Sequence, residues 1–308
     1  MCSLFGLIDY GNILSTKQKN RILNALARSC ECRGTDATGI AYNLNGRMRI
    51  YKRPLPAHKL KLHIPNGVHV VMGNTRMTTQ GSEKRNCNNH PFLGRCHGKS
   101  FALAHNGVLW NDRDLQLMEN LPETNVETDS FVAVQLLEKQ NTLDFPCLKE
   151  MAEKVEGSFV FTVLDHEDSI FVVKGDNPFV LYRYDGFLFY ASTKEILEHT
   201  AKQLDLGAPC AVSEPEEGDV LKIDHNGRIT IGSFIPRHTF SHWWRSYPPY
   251  TYDLGGVDSL FDAAKSMGVS PDEVQALLDY GCDAGEIEEL LYDPALLHEI
   301  TNELLYAY

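Results

Sequence analysis

The stretch "MCSLFGLIDY" (residues 1–10) places a cysteine directly behind a methionine and in front of an apolar run. Because cysteine is small, an aminopeptidase can remove Met1, which leaves Cys2 with both a thiol and a free α-amine. A single residue would then carry a nucleophile and its own base. The apolar run that follows is predicted to form a short strand. The opening of the chain therefore predicts an N-terminal thiol held at the start of a strand.

Beyond this stretch, the sequence alternates between blocks of strands and blocks of helices. A helix is predicted from Ser15 or Thr16, either of which can serve as its N-cap, to Gly34, which stops it. Another is predicted from Thr128, as N-cap, with Asp129 in its first turn. The other predicted segments are helices over residues 147–155 and 193–204, strands over residues 39–44, 48–53, 67–77, 100–109, 157–165, 169–175, 179–184 and 186–192, and a hairpin over residues 219–231. This order predicts an α+β fold with two stacked sheets and helices on their outer faces.

The character of the sequence changes near Pro236. Residues 237–254 form an aromatic, proline-containing segment that we interpret as a linker, and residues 1–236 form the main domain. Residues 255–308 predict a small helical module. Within it, Ser270 and Glu273 have the spacing of a capping box.

The charge is distributed unevenly between these parts. The chain of 308 residues has a formal net charge of −12. Residues 250–308 contain thirteen acidic side chains and one basic side chain, Lys265, and therefore carry the whole excess. A neutral body with an acidic tail argues against nucleic-acid binding, which needs a basic surface. We expect the tail to favour a partner protein with a basic surface.

The cysteines and the hydropathy pattern indicate the cellular compartment of the protein. The eight cysteines show no regular disulfide spacing, and no apolar run approaches the roughly 18 residues of a membrane span. We therefore predict a cytoplasmic protein without a membrane segment. A zinc site at Cys87, His90, Cys96 and His97 is disfavoured by the adjacent pair Cys96-His97, so no metal is predicted.

An N-terminal thiol that cleaves an amide needs oxyanion donors and groups that hold the substrate. Arg76 could clamp a carboxylate through two hydrogen bonds, or it could pair with a surface acid. Asn106 and Gly107 could donate to an oxyanion, or they could form an ordinary turn. Asp129 could receive an ammonium group, or it could interact with a helix dipole. Taken singly, the structural alternative is favoured in each case.

Read together and in order, several segments resemble the class II glutamine amidotransferases, whose catalytic domains are N-terminal-nucleophile hydrolases. The resemblance runs from Cys2 to about Pro236. The segments are "MCSLFG" (1–6), "CRGTDATGI" (32–40), "GNTRMTTQG" (73–81), "NNHPF" (88–92), "AHNGVLWN" (104–111), "ETDSF" (127–131) and "EEGDVLKI" (216–223). The resemblance implies a four-layer αββα sandwich, the fold of N-terminal-nucleophile hydrolases, followed here by the small C-terminal helical module.

The resemblance also implies functions for individual residues. Cys2 corresponds to the nucleophile that attacks the side-chain amide of glutamine, forms a γ-glutamyl thioester and releases ammonia, without a cofactor. Asn106 and Gly107 correspond to the oxyanion hole, Arg76 to the clamp on the substrate carboxylate, and Asp129 to the receiver of its ammonium group. Further predicted site residues are Met77, Thr78 and Thr79 around the substrate and Arg33, Asp36 and His105 around the nucleophile.

Departures from the family pattern keep alternatives open. Ser3 replaces a glycine, Met77 replaces a bulky aromatic residue and Gln80 replaces a histidine. These changes allow an amidohydrolase that acts on another γ-glutamyl amide, and a catalytically silent scaffold is a third alternative. Because no synthase pattern is found after Pro236, we expect the ammonia to be used by a partner protein, docked through the acidic module.

Overall fold

The computed structural model describes residues 2–236 and, in the C-terminal part, residues 260, 261, 264, 265, 268–280, 287, 290, 291, 297, 298 and 301. Contacts between Cα atoms divide the chain into two compact units, Met1–Thr239 and Phe240–Tyr308. The predicted linker over residues 237–254 lies outside the described residues, so the domain boundaries predicted from the sequence stay predictions. None of the described helices is both long enough and apolar enough to cross a membrane.

The first unit contains two antiparallel sheets. The first sheet has seven strands in the order β11-β9-β10-β1-β4-β2-β3, and the second has six in the order β13-β12-β8-β7-β6-β5. The strands are β1 (Ser3–Ile8), β2 (Ala37–Leu44), β3 (Arg47–Arg53), β4 (Val70–Arg76), β5 (Phe92–Cys96), β6 (Lys99–Leu109), β7 (Gly157–Leu164), β8 (Ile170–Lys174), β9 (Val180–Tyr184), β10 (Phe187–Ala191), β11 (Ala211–Ser213), β12 (Asp219–Ile223) and β13 (Ile229–Ser233).

Five α-helices within residues 2–236 lie outside the sheets. They are α1 (Thr16–Ser29), α2 (Asp112–Met118), α3 (Phe131–Gln140), α4 (Phe145–Lys154) and α5 (Lys194–Leu204). Ser15 is the N-cap of α1 and forms a capping box with Gln18, which explains why the helix begins there. The helix ends at Ser29, earlier than the predicted stop at Gly34, because residues 30–32 tighten into a 3-10 turn.

Apolar clusters between the sheets and helices pack the first unit into four layers. On β1, Phe5 and Leu7 pack in a cluster with α1 and α5, whereas Leu4 and Ile8 pack in a cluster formed by both sheets. A third cluster lies between the second sheet and helices α3 and α4. Alternation along a strand sends successive side chains to opposite faces, and here both faces of each sheet are covered. The predicted four-layer αββα sandwich is therefore confirmed.

The structure also corrects two parts of the sequence-based interpretation. The predicted N-cap Thr128 is wrong, because α3 begins at Phe131 and the Thr128 hydroxyl donates instead to the carbonyl of Asn88 at 2.9 Å. Strand β11, of three residues, was not predicted, and neither were strand β5 and helix α2. All three are short, and β5 contains a glycine between its apolar residues, so their periodicity is weak.

The C-terminal unit is described in part. Its helix α6 (Pro271–Tyr280) follows Ser270, whose hydroxyl accepts a hydrogen bond from the backbone of Glu273 at 3.3 Å. The Glu273 carboxylate accepts in turn from the backbone of Ser270 at 2.9 Å, so the predicted capping box is confirmed. The described apolar side chains of this unit form a core of their own: Leu260, Ala264, Val269, Val274, Leu277, Ile287, Leu291 and Leu297.

Candidate active site

Cys2 lies at the start of β1, beside the end of β4. Ser3 is paired with Thr75, so the next residue along β4, Arg76, lies next to Cys2. The Cys2 side chain is buried, with 6% of its surface exposed. Its Sγ atom lies 3.6 Å from the carbonyl oxygen of Met77, and Arg33 donates from Nε to the Cys2 carbonyl at 3.2 Å. Cys2 is therefore held by one contact of its side chain and one contact of its backbone carbonyl.

The surroundings of Cys2 favour the neutral thiol. Burial raises its pKa, while the hydrogen bond to Met77 and the positive charge of Arg76 act in the opposite direction. The negative charge of Asp129 raises the pKa further. Since the thiolate is the nucleophilic form, attack by Cys2 needs a base that removes the proton.

The Arg76 guanidinium is buried, with 2% of the residue exposed. It donates to Asn89 Oδ1 at 2.7 Å and to the carbonyl oxygens of Gln80 and Gly81 at 2.6 and 3.0 Å. Within residues 2–236, no carboxylate oxygen lies within 4.0 Å of it. The alternative of a pairing with a surface acid is therefore wrong, and the site holds a buried positive charge whose contacts are neutral.

Asn106 and Gly107 lie inside β6, where they pair with Val160 and Phe159 of β7. The alternative of an ordinary Asn-Gly turn is therefore wrong. The Asn106 side chain is buried, and its Nδ2 atom has one long contact of 3.4 Å to Ser192 Oγ. Gly107 has φ +144°, and a Cβ atom there would lie 1.8 Å from the Ser158 carbonyl oxygen. Only glycine fits this position.

Asp129 is buried just before α3. Its Oδ2 atom accepts from the backbone of Leu109 at 2.7 Å, and its Oδ1 atom accepts from the Ser130 hydroxyl at 3.2 Å. Neither of these contacts goes to an amide of the first turn of α3. The carboxylate is thus oriented by β6 rather than serving as a cap of the helix, and Cys2, Arg76 and Asp129 lie close enough for their charges to act on one another.

Comparison with known proteins places this chain in a family. Residues 75–199 match the family model described as "Glutamine amidotransferase domain". A glutamine–fructose-6-phosphate aminotransferase from Sulfurisphaera tokodaii is 30% identical over 242 residues, which cover 72% of this chain and 40% of that protein. This chain carries a class II glutamine amidotransferase domain.

Other relatives are also longer proteins, and this chain matches a part of each of them. A 7-cyano-7-deazaguanine synthase from Saccharolobus solfataricus is 26% identical over 283 residues, which cover 87% of this chain and 56% of that protein. The glutamine phosphoribosylpyrophosphate amidotransferase from B. subtilis has the same fold, with a TM-score of 0.59 and 21% identity over 77% of this chain and 50% of that chain. The chain thus spans between four and six tenths of the length of these relatives.

The remaining predicted site residues differ in how far their side chains are buried. Asp36 accepts from the backbone of Thr78 at 2.7 Å and so holds the segment after Arg76. The Thr78 hydroxyl is buried without a hydrogen-bond partner, whereas Thr79 is exposed and Met77 has 45% of its surface exposed. Thr78, rather than Thr79, therefore presents a hydroxyl to the interior of the amidotransferase domain.

His105 lies behind the predicted oxyanion residues. Its Nδ1 atom is 2.7 Å from Ser130 Oγ, and its ring stacks on Phe161 with 4.6 Å between the centroids. Burial lowers its pKa, so the imidazole is neutral near pH 7. Ser130 was not predicted as a site residue, although it directly follows Asp129 in the sequence.

A cavity of about 250 Å³ opens beside Asp129. Gln80 and Asp112 both line it, and Gln80 Nε2 donates to Asp112 Oδ2 at 3.0 Å. The other lining residues are Arg113, Gln116, Thr124, Val126, Glu127, Thr128, Phe131, Val132 and Gln135. In the described part of the chain, no three His, Cys, Asp or Glu side chains are grouped closely enough to hold a metal ion.

Proposed function

We propose that this chain hydrolyses the side-chain amide of glutamine through a thioester on Cys2. The observation that supports this function best is the pair of opposite charges beside the buried thiol. Arg76 offers a cation whose contacts are neutral, and Asp129 offers an oriented carboxylate. An α-amino acid carries one carboxylate and one ammonium group, which match these two charges.

The reaction needs the Cys2 α-amine, so we infer that Met1 is removed. The amine then takes the thiol proton through a water molecule, and Sγ attacks the amide carbon of glutamine. Asn106 Nδ2 and the Gly107 N–H donate to the oxyanion, and the long Asn106 contact to Ser192 is readily exchanged for it. The C–N bond breaks as ammonia leaves with a proton. Water then hydrolyses the γ-glutamyl thioester to glutamate and restores the thiol.

Ammonia release and intact mass test this function together. We expect the purified chain to lack the methionine mass and to gain one adduct on Cys2 from an electrophilic glutamine analogue. Cys2→Ala should lower glutamine turnover by at least about a thousandfold, whereas Cys32→Ala, at an exposed cysteine, should not. Turnover by Cys2→Ala at the wild-type rate would disprove the proposal, and an unchanged cellular function of that variant would favour the scaffold alternative.

A second candidate substrate class is another γ-glutamyl amide. The amide end of the site is bordered by Met77, whose carbonyl oxygen lies 3.6 Å from Cys2 Sγ and which has 45% of its surface exposed. A substituted substrate therefore has room to bind. Equal or faster turnover of such amides than of glutamine, measured as kcat/KM, would favour this candidate.

We infer further that the ammonia is used by an acceptor in another protein or domain. The names of two relatives, an aminotransferase and a synthase, indicate acceptor reactions in those longer proteins. The acidic residues of the C-terminal module carry the whole negative excess of the chain, and this charge favours docking of a basic partner. Neutralising Asp272, Glu286, Glu288 and Glu289 should weaken docking and its salt dependence while glutamine turnover stays unchanged. A partner affinity that is the same at low and high salt would contradict this form of docking.

A further inference from the structure

Asn89 is a fully buried residue whose polar atoms all have partners. Its Oδ1 atom accepts from the Arg76 guanidinium at 2.7 Å, and its Nδ2 atom donates to the carbonyl of Glu83 at 2.8 Å. Its backbone carbonyl accepts from Lys52 Nζ at 2.5 Å. The Asn89 amide is therefore fixed in one orientation, with its oxygen directed at Arg76.

The acceptors around Arg76 share one property, which is that they are uncharged. They are the side-chain oxygen of Asn89 and the backbone carbonyls of Gln80 and Gly81. Asp36, Glu83 and Asp129 influence the pKa of Arg76 from longer distances, but in residues 2–236 none of them is in contact with its guanidinium. A buried cation is costly when no anion contacts it. Neutral acceptors orient the guanidinium and leave its charge available.

We propose that Asn89 is a positioning residue that makes Arg76 selective for a substrate carrying a free α-carboxylate. This inference rests on the function proposed above. A carboxylate at position 89 would occupy the same place, neutralise the guanidinium and repel the substrate carboxylate. The amide side chain gives the same hydrogen bond without competing for the guanidinium. Asparagine at this position, in place of aspartate, therefore allows the site to bind a negatively charged group of the substrate.

The test compares two substrates that differ only in this charge, L-glutamine and its α-amide. The quantity measured is the ratio of kcat/KM for glutamine to kcat/KM for the α-amide. For Asn89→Asp we expect this ratio to fall by about tenfold or more, since an attractive charge pair becomes a competing one. The matched control is Asn125→Asp, which makes the same chemical change on an exposed loop and should leave the ratio within about twofold.

A purely structural function of Asn89 would lower the rates for both substrates alike, so the ratio separates the two explanations. A folded Asn89→Asp variant with the wild-type ratio would overturn the proposal. If circular dichroism shows that this variant does not fold, Asn89→Ala replaces it, because it removes one acceptor without adding charge. The glutamine KM should then rise by about threefold to tenfold with kcat within about twofold, and an unchanged KM would overturn the proposal.

The two levels of the proposal fail in different ways. A wild-type chain that releases no ammonia from either substrate would disprove the proposed function itself. Turnover of glutamine by the wild-type chain, together with an unchanged ratio in Asn89→Asp, would disprove only the assignment of Asn89.

Discussion

His105 Nδ1 lies 2.7 Å from Ser130 Oγ, and the Ser130 hydroxyl lies 3.2 Å from Asp129 Oδ1. A carboxylate only accepts hydrogen bonds, so the Ser130 hydroxyl donates to Asp129 Oδ1, while its oxygen lies within hydrogen-bond distance of His105 Nδ1. All three side chains are buried. This chain of contacts connects the strand of Asn106 with Asp129, so the residues proposed for the oxyanion and for the substrate ammonium group are oriented together.

Ser130→Ala should remove the hydrogen-bond partner that His105 and Asp129 share. The variant leaves His105 and Asp129 without their shared partner, and we expect a loss of about 1–3 kcal/mol in the free energy of unfolding. The KM for glutamine should rise more than kcat falls, because Asp129 is proposed to bind the substrate. Ser130→Thr keeps the hydroxyl and should restore the KM. Steady-state kinetics and urea unfolding measure both effects, and an unchanged KM in Ser130→Ala would contradict the link.

Arg76→Lys should lose most of the activity although it keeps the charge. Lysine has no planar fork, so it cannot hold Asn89 and the carbonyls of Gln80 and Gly81 while also binding a carboxylate. We expect kcat/KM for glutamine to fall by about a hundredfold, which corresponds to about 3 kcal/mol. Arg53→Lys, at an exposed arginine of β3, is the control and should stay near the wild-type value. A fall of less than about threefold in Arg76→Lys would argue against a carboxylate clamp.

Gly107→Ala and Gly98→Ala separate backbone strain from steric overlap. Both glycines have positive φ, at +144° and +72°, but a Cβ atom at Gly98 meets nothing within 4 Å, whereas one at Gly107 would overlap the Ser158 carbonyl. We expect about 1 kcal/mol of destabilisation for Gly98→Ala, and more than about 3 kcal/mol together with loss of activity for Gly107→Ala. Thermal unfolding of the two variants measures the difference. Equal losses would mean that strand β6 can shift away from β7.

Much of the fold was predictable because its causes are local. The apolar run of β1 and the start of α1 after Ser15 are determined by residues close together in sequence, and both predictions agree with the structure. Cys2 could be proposed as the nucleophile from the sequence alone because its position next to Met1 is itself the signal. Short elements such as α2 and β5 were missed because a few residues give too weak a hydrophobic periodicity to indicate a helix or a strand.

The parts of the site that the sequence did not predict depend on contacts between separate segments. Asn106-Gly107 reads equally well as a turn, and only its pairing with β7 decides that it lies inside a strand. The same holds for Asn89, since its contact with Arg76 depends on the path of the intervening loop. Thr128 was predicted as a helix cap because the sequence does not show that its hydroxyl donates instead to the carbonyl of Asn88.

The pH dependence of stability should report the buried histidines, above all His90. This residue is 3% exposed, and neither ring nitrogen has a hydrogen-bond partner among the described residues. Burial lowers its pKa well below the ordinary value, and the charge of His105 when it is protonated and the positive charges of Arg76 and Lys52 act in the same direction. The folded protein therefore keeps His90 neutral at a pH where the unfolded chain already binds a proton.

The unfolded state thus binds more protons below its histidine pKa of about 6.5, and stability must fall as the pH drops below that value. For each such histidine the loss is about 1.4 kcal/mol per pH unit until the lowered folded pKa is reached. His90→Gln should flatten this slope by about that amount, whereas His63→Gln, at an exposed histidine, should not. Urea unfolding between about pH 7.5 and 5 measures the slope. An identical slope in His90→Gln and the wild type would show that His90 accepts a proton as readily in the folded chain as in the unfolded one.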